Sequence, residues 1–372
     1  MGSDKNPGGL AGWLRKNKIR LRNGAIAAAV VGTGVTAWYG AGLYQQRKAT
    51  EAMIAERHHQ EQQEQGESSE ISGAEAGTMP VMGDTVTWQG KTYKRNSYVK
   101  AILCMGVDRK GSMQETTLSG DGGQADGLFL LAQDTARNSL KILMIPRDSM
   151  TEITQTDTSW TDKNGTVLGT ITDQLTLAYS YGDGRELSCE YTVEAVSNLF
   201  GGLQIDSYLA ADTDVISILN DAVGGVTVTI PTAGMEQRDP AFVLGETVTL
   251  HGKQAEAFVR FRDIKKDNTA ISRMEQHKAY MNGFFQAVQA ASRTNSRMVE
   301  ELFELIQDYM VTDMTKAEYL KVAMDGLNGE GITSANYRIV PGVGTATTAE
   351  DEYYVDQEAT VLVLLELFYR EA

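Results

Sequence analysis

Basic side chains are scarce past residue 50, and several of the arginines that remain stand at the ends of apolar runs. Arg109 follows A-I-L-C-M-G-V-D, Arg147 lies in I-P-R-D, Arg260 and Arg262 alternate in F-V-R-F-R-D, and Arg273 follows in S-R-M-E. In an α/β sheet the strand ends and their loops form the ligand crevice. Guanidinium groups meeting there would suit phosphate, whose oxygens they bind bidentately. Asp108 and Asp126 stand just past one predicted strand and at the start of the next. Two hard carboxylates beside a phosphate suit Mg2+. Each Arg–Asp pair reads equally well as a surface ion pair worth about 0–1 kcal/mol. Spacing alone leaves both readings open.

Other chemistries fit poorly. There are four histidines, and His58 and His59 fall in a polar tract, which disfavours His-based zinc catalysis. Two cysteines cannot make a disulfide framework; Cys104 sits in an apolar run and reads as an inert core thiol, and a Cys104–Cys189 pairing stays open. Gly90-Lys91-Thr92 ends like a phosphate-binding loop, but Thr85 occupies the position of the required first glycine. The formal charge of −15, from 34 basic and 49 acidic side chains, argues against a nucleic-acid partner.

The elements that must carry these residues alternate. Short apolar runs at 101–108, 127–134 and 139–148 read as buried strands, as do 206–212, 226–230 and a late one in S-A-N-Y-R-I-V-P-G. Helical spacing marks 189–202, 213–225, the start of 252–262, 273–291, and three segments beyond residue 298, the last ending in F-Y-R-E. T-V-T-W-Q-G-K-T-Y-K-R-N, 85–96, reads as a short hairpin. The class is α/β, a central sheet between helices.

The amino-terminal part is different in kind. Residues 1–24 carry Lys5, Arg15, Lys16, Lys18, Arg20 and Arg22 against Asp4. No charge follows from Asn23 to Gln46, and Ala25 to Tyr44 is a 20-residue apolar stretch with Trp38, Tyr39 and Tyr44 towards its far side. About 20 apolar residues span a bilayer core, and basic residues mark the cytoplasmic flank. The expectation is a cytoplasmic tail (1–24), a transmembrane helix (25–44), a polar linker (45–84) and an extracytoplasmic domain (85–372, core 100–290).

The order of the motifs adds to this. I-L-C-M-G-V-D, Q-A-D-G-L-F-L-L, I-P-R-D, N-D-A-V-G-G-V-T-V-T-I-P, A-E-A-F-V-R-F-R-D and S-R-M-E-Q-H resemble the LytR-CpsA-Psr family over roughly 100–290. The resemblance implies a membrane-anchored cell-wall transferase. Such an enzyme moves a glycopolymer, teichoic acid or capsular polysaccharide, from a polyprenyl-pyrophosphate carrier to peptidoglycan as a phosphodiester, with Mg2+. By motif position, Asp108 and Asp126 would hold the metal. Arg147, Arg260, Arg262 and Arg273 would grip the pyrophosphate, with Arg109 beside them, and Asp148 would orient or act as base. The polyprenyl tail would enter an apolar pocket between sheet and helices, near 189–202 and Tyr208–Leu209. Three positions depart from the family's usual pattern: Gln124 replaces the arginine of R-S-D, Gln174 the lysine of K-I-N-x-A-Y, and Gln276 the second arginine of G-R-x-x-R-Q. Arg185 or Lys110 could compensate. A carrier pyrophosphatase and a non-catalytic envelope scaffold are the competing readings.

Overall fold

Apolar residues run unbroken over 101–105 and 128–132, and because a strand sends successive side chains to opposite faces, both faces of the sheet need cover. The computed structural model describes residues 79–157, 159–262, 269–327, 332–346 and 351–372. The expected tail, transmembrane helix and most of the linker lie outside the described residues. Among the described residues no helix is long and apolar enough to cross a membrane.

The chain begins with the expected hairpin, β1 (Thr85–Trp88) and β2 (Lys91–Arg95). Its two-residue turn has positive φ at Gln89 (47°) and Gly90 (76°), as a tight type I′ hairpin requires. β3 (Val99–Val107), β4 (Ala125–Asp134) and β5 (Ser139–Ile145) follow as an antiparallel meander. A ribbon comes next, β6 (Met150–Thr154) with β7 (Thr170–Gln174). After a 3-10 turn (Leu175–Tyr181) come α1 (Glu186–Leu199), β8 (Ser207–Asp212) and α2 (Asp214–Ala222). β9 (Val226–Thr229) pairs with β10 (Thr247–Leu250), and α3 (Lys253–Val259) leads to the long α4 (Thr269–Ser292). The chain closes with α5 (Met298–Ile306), β11 (Met310–Thr312), α6 (Lys316–Leu327), β12 (Tyr337–Ile339), the ribbon β13 (Gly342–Ala346) and β14 (Asp351–Val355), α7 (Gln357–Phe368) and β15 (Tyr369–Glu371).

Six strands form the central mixed sheet in the order β11-β8-β3-β4-β5-β12. One face carries Leu103, Met105, Leu128, Leu130, Leu143 and Ile145 into a core shared with α1 and α7. The other face meets α4, α5 and α6 through Ile142, Met144, Met274 and Ile306. The expected α/β class, with helices on both faces, is what the described residues form.

Two differences have tertiary causes. The 3-10 turn replaces an unassigned stretch because Leu175 N and Thr176 N donate to Ser149 O and Arg147 O (2.8 and 2.9 Å) rather than continuing a strand. F-Y-R-E, expected to be helical, leaves α7 to become β15, because Tyr369–Glu371 pairs with β2 and the Tyr369 hydroxyl donates to Met82 O at 2.8 Å. The Arg95 guanidinium also stands 4.9 Å from the Phe368 ring centroid.

Two measurements test this packing. A Cβ at Gly283 of α4 would lie 2.4 Å from Thr227 O of β9, so Gly283→Ala should destabilise by about 1–3 kcal/mol in denaturant unfolding. Asp212 is buried at the start of α2, where its Oδ1 accepts from Asp214 N and Val215 N (2.8 and 3.3 Å). Burial pushes its carboxyl up to about 6, the two N–H bonds opposing. The native state then binds this proton more tightly, so the Asp212 contribution to stability should fall from pH 4 to pH 7. Over that range wild type should lose up to about 3 kcal/mol relative to Asp212→Asn in denaturant unfolding.

Candidate active site

β3 and β5 run one way and β4 the other, so the carboxyl ends of β3 and β5 meet the start of β4 at one end of the sheet. The parallel partners β8 and β12 bring their carboxyl ends there too. Asp108, Asp126, Arg147 and Asp148 stand at this end because the register fixes them there. An irregularity between Gly106 and Val107, where Val107 faces Ala125 and Gly106 faces Gly127, leaves Asp126 between them.

Asp126 is the hub. It pairs with Arg147 Nη1 through Oδ1 and lies 3.8 Å from Arg273 Nη1 through Oδ2; Arg273 Nη2 also donates to the Asp126 main-chain oxygen at 3.0 Å. Arg147 Nε is 3.1 Å from Asp148 Oδ1, within ion-pair range although no aligned hydrogen bond satisfies that oxygen. Arg262 Nη2 reaches Asp351 Oδ2 of β14 at 3.0 Å. Asp148 is buried, and burial raises its pKa; Arg147, Arg273 and Arg262 pull it down and Asp351 pushes it up. These five charges therefore lie within electrostatic reach of one another. Burial would lower the Arg147 pKa, but Asp126, Asp148 and Asp108 outweigh it and raise it. Burial lowers Arg273 to about 10, with Arg147 and Arg262 acting the same way, so it stays charged at neutral pH.

Arg147, Arg262 and Arg273 thus meet, from three separate segments. Arg260 does not join them. At the end of α3 its Nη1 is 3.2 Å from Glu256 Oε1, which Lys110 Nζ also approaches at 3.1 Å. The chain leaves α3 at Arg260, and this exit sends the two arginines apart. Arg109 is also drawn away: its Nη1 donates to Gln114 O at 3.0 Å, and its side chain lies against Gly123 and Gly184. There it pins the Gly-rich loop that links Asp108 to Asp126. Arg185 serves that loop too, donating to Met113 O. Asp108 keeps its place through Gln124, whose N–H donates to Asp108 Oδ1 at 2.8 Å.

Below the charges the surroundings turn apolar. A crevice of roughly 10 Å³, room for about one water, is lined by Asp126, Phe129, Arg147, Arg273, Met274 and His277. Burial and Arg273 lower His277 to about 3, so its ring is neutral, and Nε2 is 3.2 Å from Val259 O. Deeper along the same face, Cys104, Phe129, Leu131, Leu209 and Ala211 are only half-buried, although their strands are interior to the sheet. Their counterparts on the opposite face are buried. The helices of the α4 side thus cover this part of the sheet incompletely. Of the residues expected to line a tail pocket, Leu209 lies on this face. Helix α1 and Tyr208 pack on the opposite core, because adjacent strand residues point to opposite faces. Cys104 and Cys189 are both free thiols.

Sequence reasoning missed Asp351. It lies in the acidic run A-E-D-E, where nothing local distinguishes it from a solvated surface acid.

Comparison with known proteins agrees with this architecture. A sequence model of the LytR_cpsA_psr family matches residues 44–366. The chain is 26% identical over 294 residues to the polyisoprenyl-teichoic acid–peptidoglycan teichoic acid transferase TagV of Bacillus subtilis, covering 75% of this chain and 67% of that protein. The corresponding TagU of Halalkalibacterium halodurans is 32% identical over 162 residues, 44% of each chain. The chain covers 60% of the length of the B. subtilis TagU. Among solved structures, B. subtilis TagV superposes with a TM-score of 0.54 at 21% identity, over 73% of this chain and 97% of that one. Protein gbs0355 from Streptococcus agalactiae gives 0.55 at 18%, over 73% and 91%. TagT bound to LI-WTA gives 0.53 at 15%, over 78% and 97%. These structures share the fold. With the family's sequence model covering most of its length, this chain belongs to the LytR_cpsA_psr family.

Proposed function

We propose that this protein is an extracytoplasmic phosphotransferase, anchored by the apolar segment 25–44, that moves a glycopolymer from a polyprenyl-pyrophosphate carrier to peptidoglycan. The observation that carries the reading is the pairing of Arg147 and Arg273 with Asp126, with Asp148 and Arg262 within electrostatic reach, over an apolar sheet face that is incompletely covered. A pyrophosphate needs the first and an isoprenoid the second. The relatives named teichoic acid transferases support the same substrate class, with capsular polysaccharide the variant polymer.

In this reading the arginines screen the negative charge that repels an incoming sugar hydroxyl. The hydroxyl oxygen bonds to the sugar-bearing phosphorus, and the bond from that phosphorus to the bridging oxygen breaks. Polyprenyl phosphate leaves with the bridging oxygen and its electron pair. Asp148, made more basic by burial, takes the hydroxyl proton. Arg147 and Arg273 take up the charge on the leaving phosphate. Phe129, Met274 and His277 must swing aside to admit the prenyl chain, since their crevice has room for little more than a water. The buried chain then supplies about 25 cal/mol per Å2 of apolar area towards orientation.

Asp108 and Asp126 fit Mg2+ by donor chemistry. Both present carboxylate oxygens at adjoining strand ends, and Mg2+ takes one or two carboxylates with water and substrate phosphate completing its shell. Among the described residues no group of three or more His, Cys, Asp or Glu could hold a metal by itself. When bound, Mg2+ would add Lewis-acid screening of the phosphoryl oxygens.

The test uses residues 75–372 with polyprenyl-pyrophosphate-linked glycan, Mg2+ and peptidoglycan fragments. The expected products are phosphodiester-linked glycan and polyprenyl phosphate. Free sugar phosphate with no linked glycan would make the protein a hydrolase, and tight carrier binding without turnover would make it a scaffold. Arg147→Ala should slow transfer by about 10²–10³-fold in a folded protein. Arg260→Ala, which breaks only the Glu256 pair, should cost less than about tenfold. Equal losses in the two variants would remove the convergence argument.

A further inference from the structure

We infer that His277 is the latch of this site: its hydrogen bond to the end of α3 keeps the apolar crevice shut, and an incoming prenyl chain has to break that bond. The inference rests on the phosphotransferase reading and names one residue that sets how the carrier is admitted.

The crevice is where the charged and apolar parts of the site touch. Asp126, Arg147 and Arg273 line it, and so do Phe129, Met274 and His277. Phe129 also belongs to the half-buried row that continues over the sheet through Leu131, two residues on and on the same face. A chain that leaves a pyrophosphate held by Arg147 and Arg273 along this row meets these three side chains first.

The three are not held alike. Phe129 and Met274 pack in the apolar cluster beneath α4, where a side chain can change rotamer without losing a polar partner. His277 cannot. A carbonyl only accepts, so the contact of 3.2 Å between Nε2 and Val259 O makes Nε2 the protonated nitrogen. Val259 is the last residue of α3, and the last carbonyls of a helix have no donor within it. Turning the ring aside leaves the Nε2–H and that carbonyl without each other in apolar surroundings. The latched ring also braces Phe129, which it meets edge-on with centroids 5.8 Å apart at 68°. Arg273 lies one turn before His277 on the same face of α4, so one helix carries both a cation of the phosphate site and the latch beside it.

A ligand that needs the open form binds less tightly in proportion to how rarely that form is populated. A prenyl pyrophosphate needs the crevice open. Inorganic pyrophosphate has no chain and is indifferent to the latch. Removing His277 should therefore tighten binding of the first and leave the second unchanged. Loss of folded protein cannot produce this split, because it never tightens binding.

The test titrates the full chain in detergent with farnesyl pyrophosphate and with inorganic pyrophosphate, both with Mg2+. His277→Ala should bind farnesyl pyrophosphate about fivefold tighter, the worth of one neutral hydrogen bond, and inorganic pyrophosphate within about twofold of wild type. His277→Gln, whose amide can donate to Val259 O, should match wild type for both ligands. An unchanged or weaker farnesyl pyrophosphate affinity in His277→Ala, an equal gain for inorganic pyrophosphate, or a gain in His277→Gln as large as in His277→Ala would each overturn the latch. Wild type offers a second readout that needs no folded variant. In NMR spectra of isotope-labelled histidine, the hydrogen-bonded Nε2–H of His277 should be lost on adding farnesyl pyrophosphate and kept with inorganic pyrophosphate. A bond that survives in the farnesyl pyrophosphate complex overturns the latch as well. If wild type binds neither pyrophosphate, the phosphotransferase reading fails instead. Farnesol then tests the crevice alone: tighter binding by His277→Ala upholds the latch, and no gain removes it.

Discussion

Arg147 and Arg273 share one carboxylate, Asp126, in surroundings where a charge without a counter-charge would cost several kcal/mol. That constraint shapes the rest of the sheet end. Two buried guanidiniums repel one another, which contributes to the lowered pKa of Arg273. They stay together because Asp126 and Asp148 lie between them and Asp351 balances the third arginine. In the proposed reading, phosphate oxygens would take the positions that the carboxylates now hold. The arginines are already gathered, so an anionic ligand would only exchange partners with them.

The sheet beneath divides two tasks between its faces. One face is fully packed against α1 and α7 and supplies the rigidity that fixes strand register, and with it the positions of Asp108, Asp126 and Arg147. The other face is less completely covered, and its apolar residues stay half-buried under α4, α5 and α6. Helix α4 links this layer to the charges, carrying Arg273 at the site and packing Met281 and Phe285 against the sheet. Its close approach to β9 at Gly283 holds it there.

Two of the three glutamines that depart from the family's pattern have local roles. Gln124 lends its backbone N–H to the Asp108 carboxylate. Gln174 ties down the β14 strand at Asp351. Gln276 is buried on α4 with its Oε1 lacking a hydrogen-bond partner in the described residues. Two of the three thus help to build the end of the sheet without adding cations to the cluster. Arg185 and Lys110 lie away from the cluster, at the Gly-rich loop and at Glu256.

Much of this was legible in the chain itself. Strand alternation, helical spacing and glycine stops marked most elements, because these are local consequences of side-chain direction and backbone preference. The strand-end positions of Asp108, Asp126 and Arg147 followed from the same local pattern. Other features depended on where distant segments fold. Arg260 and Arg262 look alike in sequence, and only the exit of the chain from α3 sends one to Glu256 and the other to Asp351. Arg109 sits beside Asp108 in sequence yet is drawn to Gln114. F-Y-R-E carries a helical pattern but becomes a strand because β2 offers unpaired backbone groups. Sequence by itself determined which residues could make strands, helices and charged ends. Which charges share a point was decided by tertiary structure, because Coulomb attraction and desolvation depend on distance in space and not on separation along the chain.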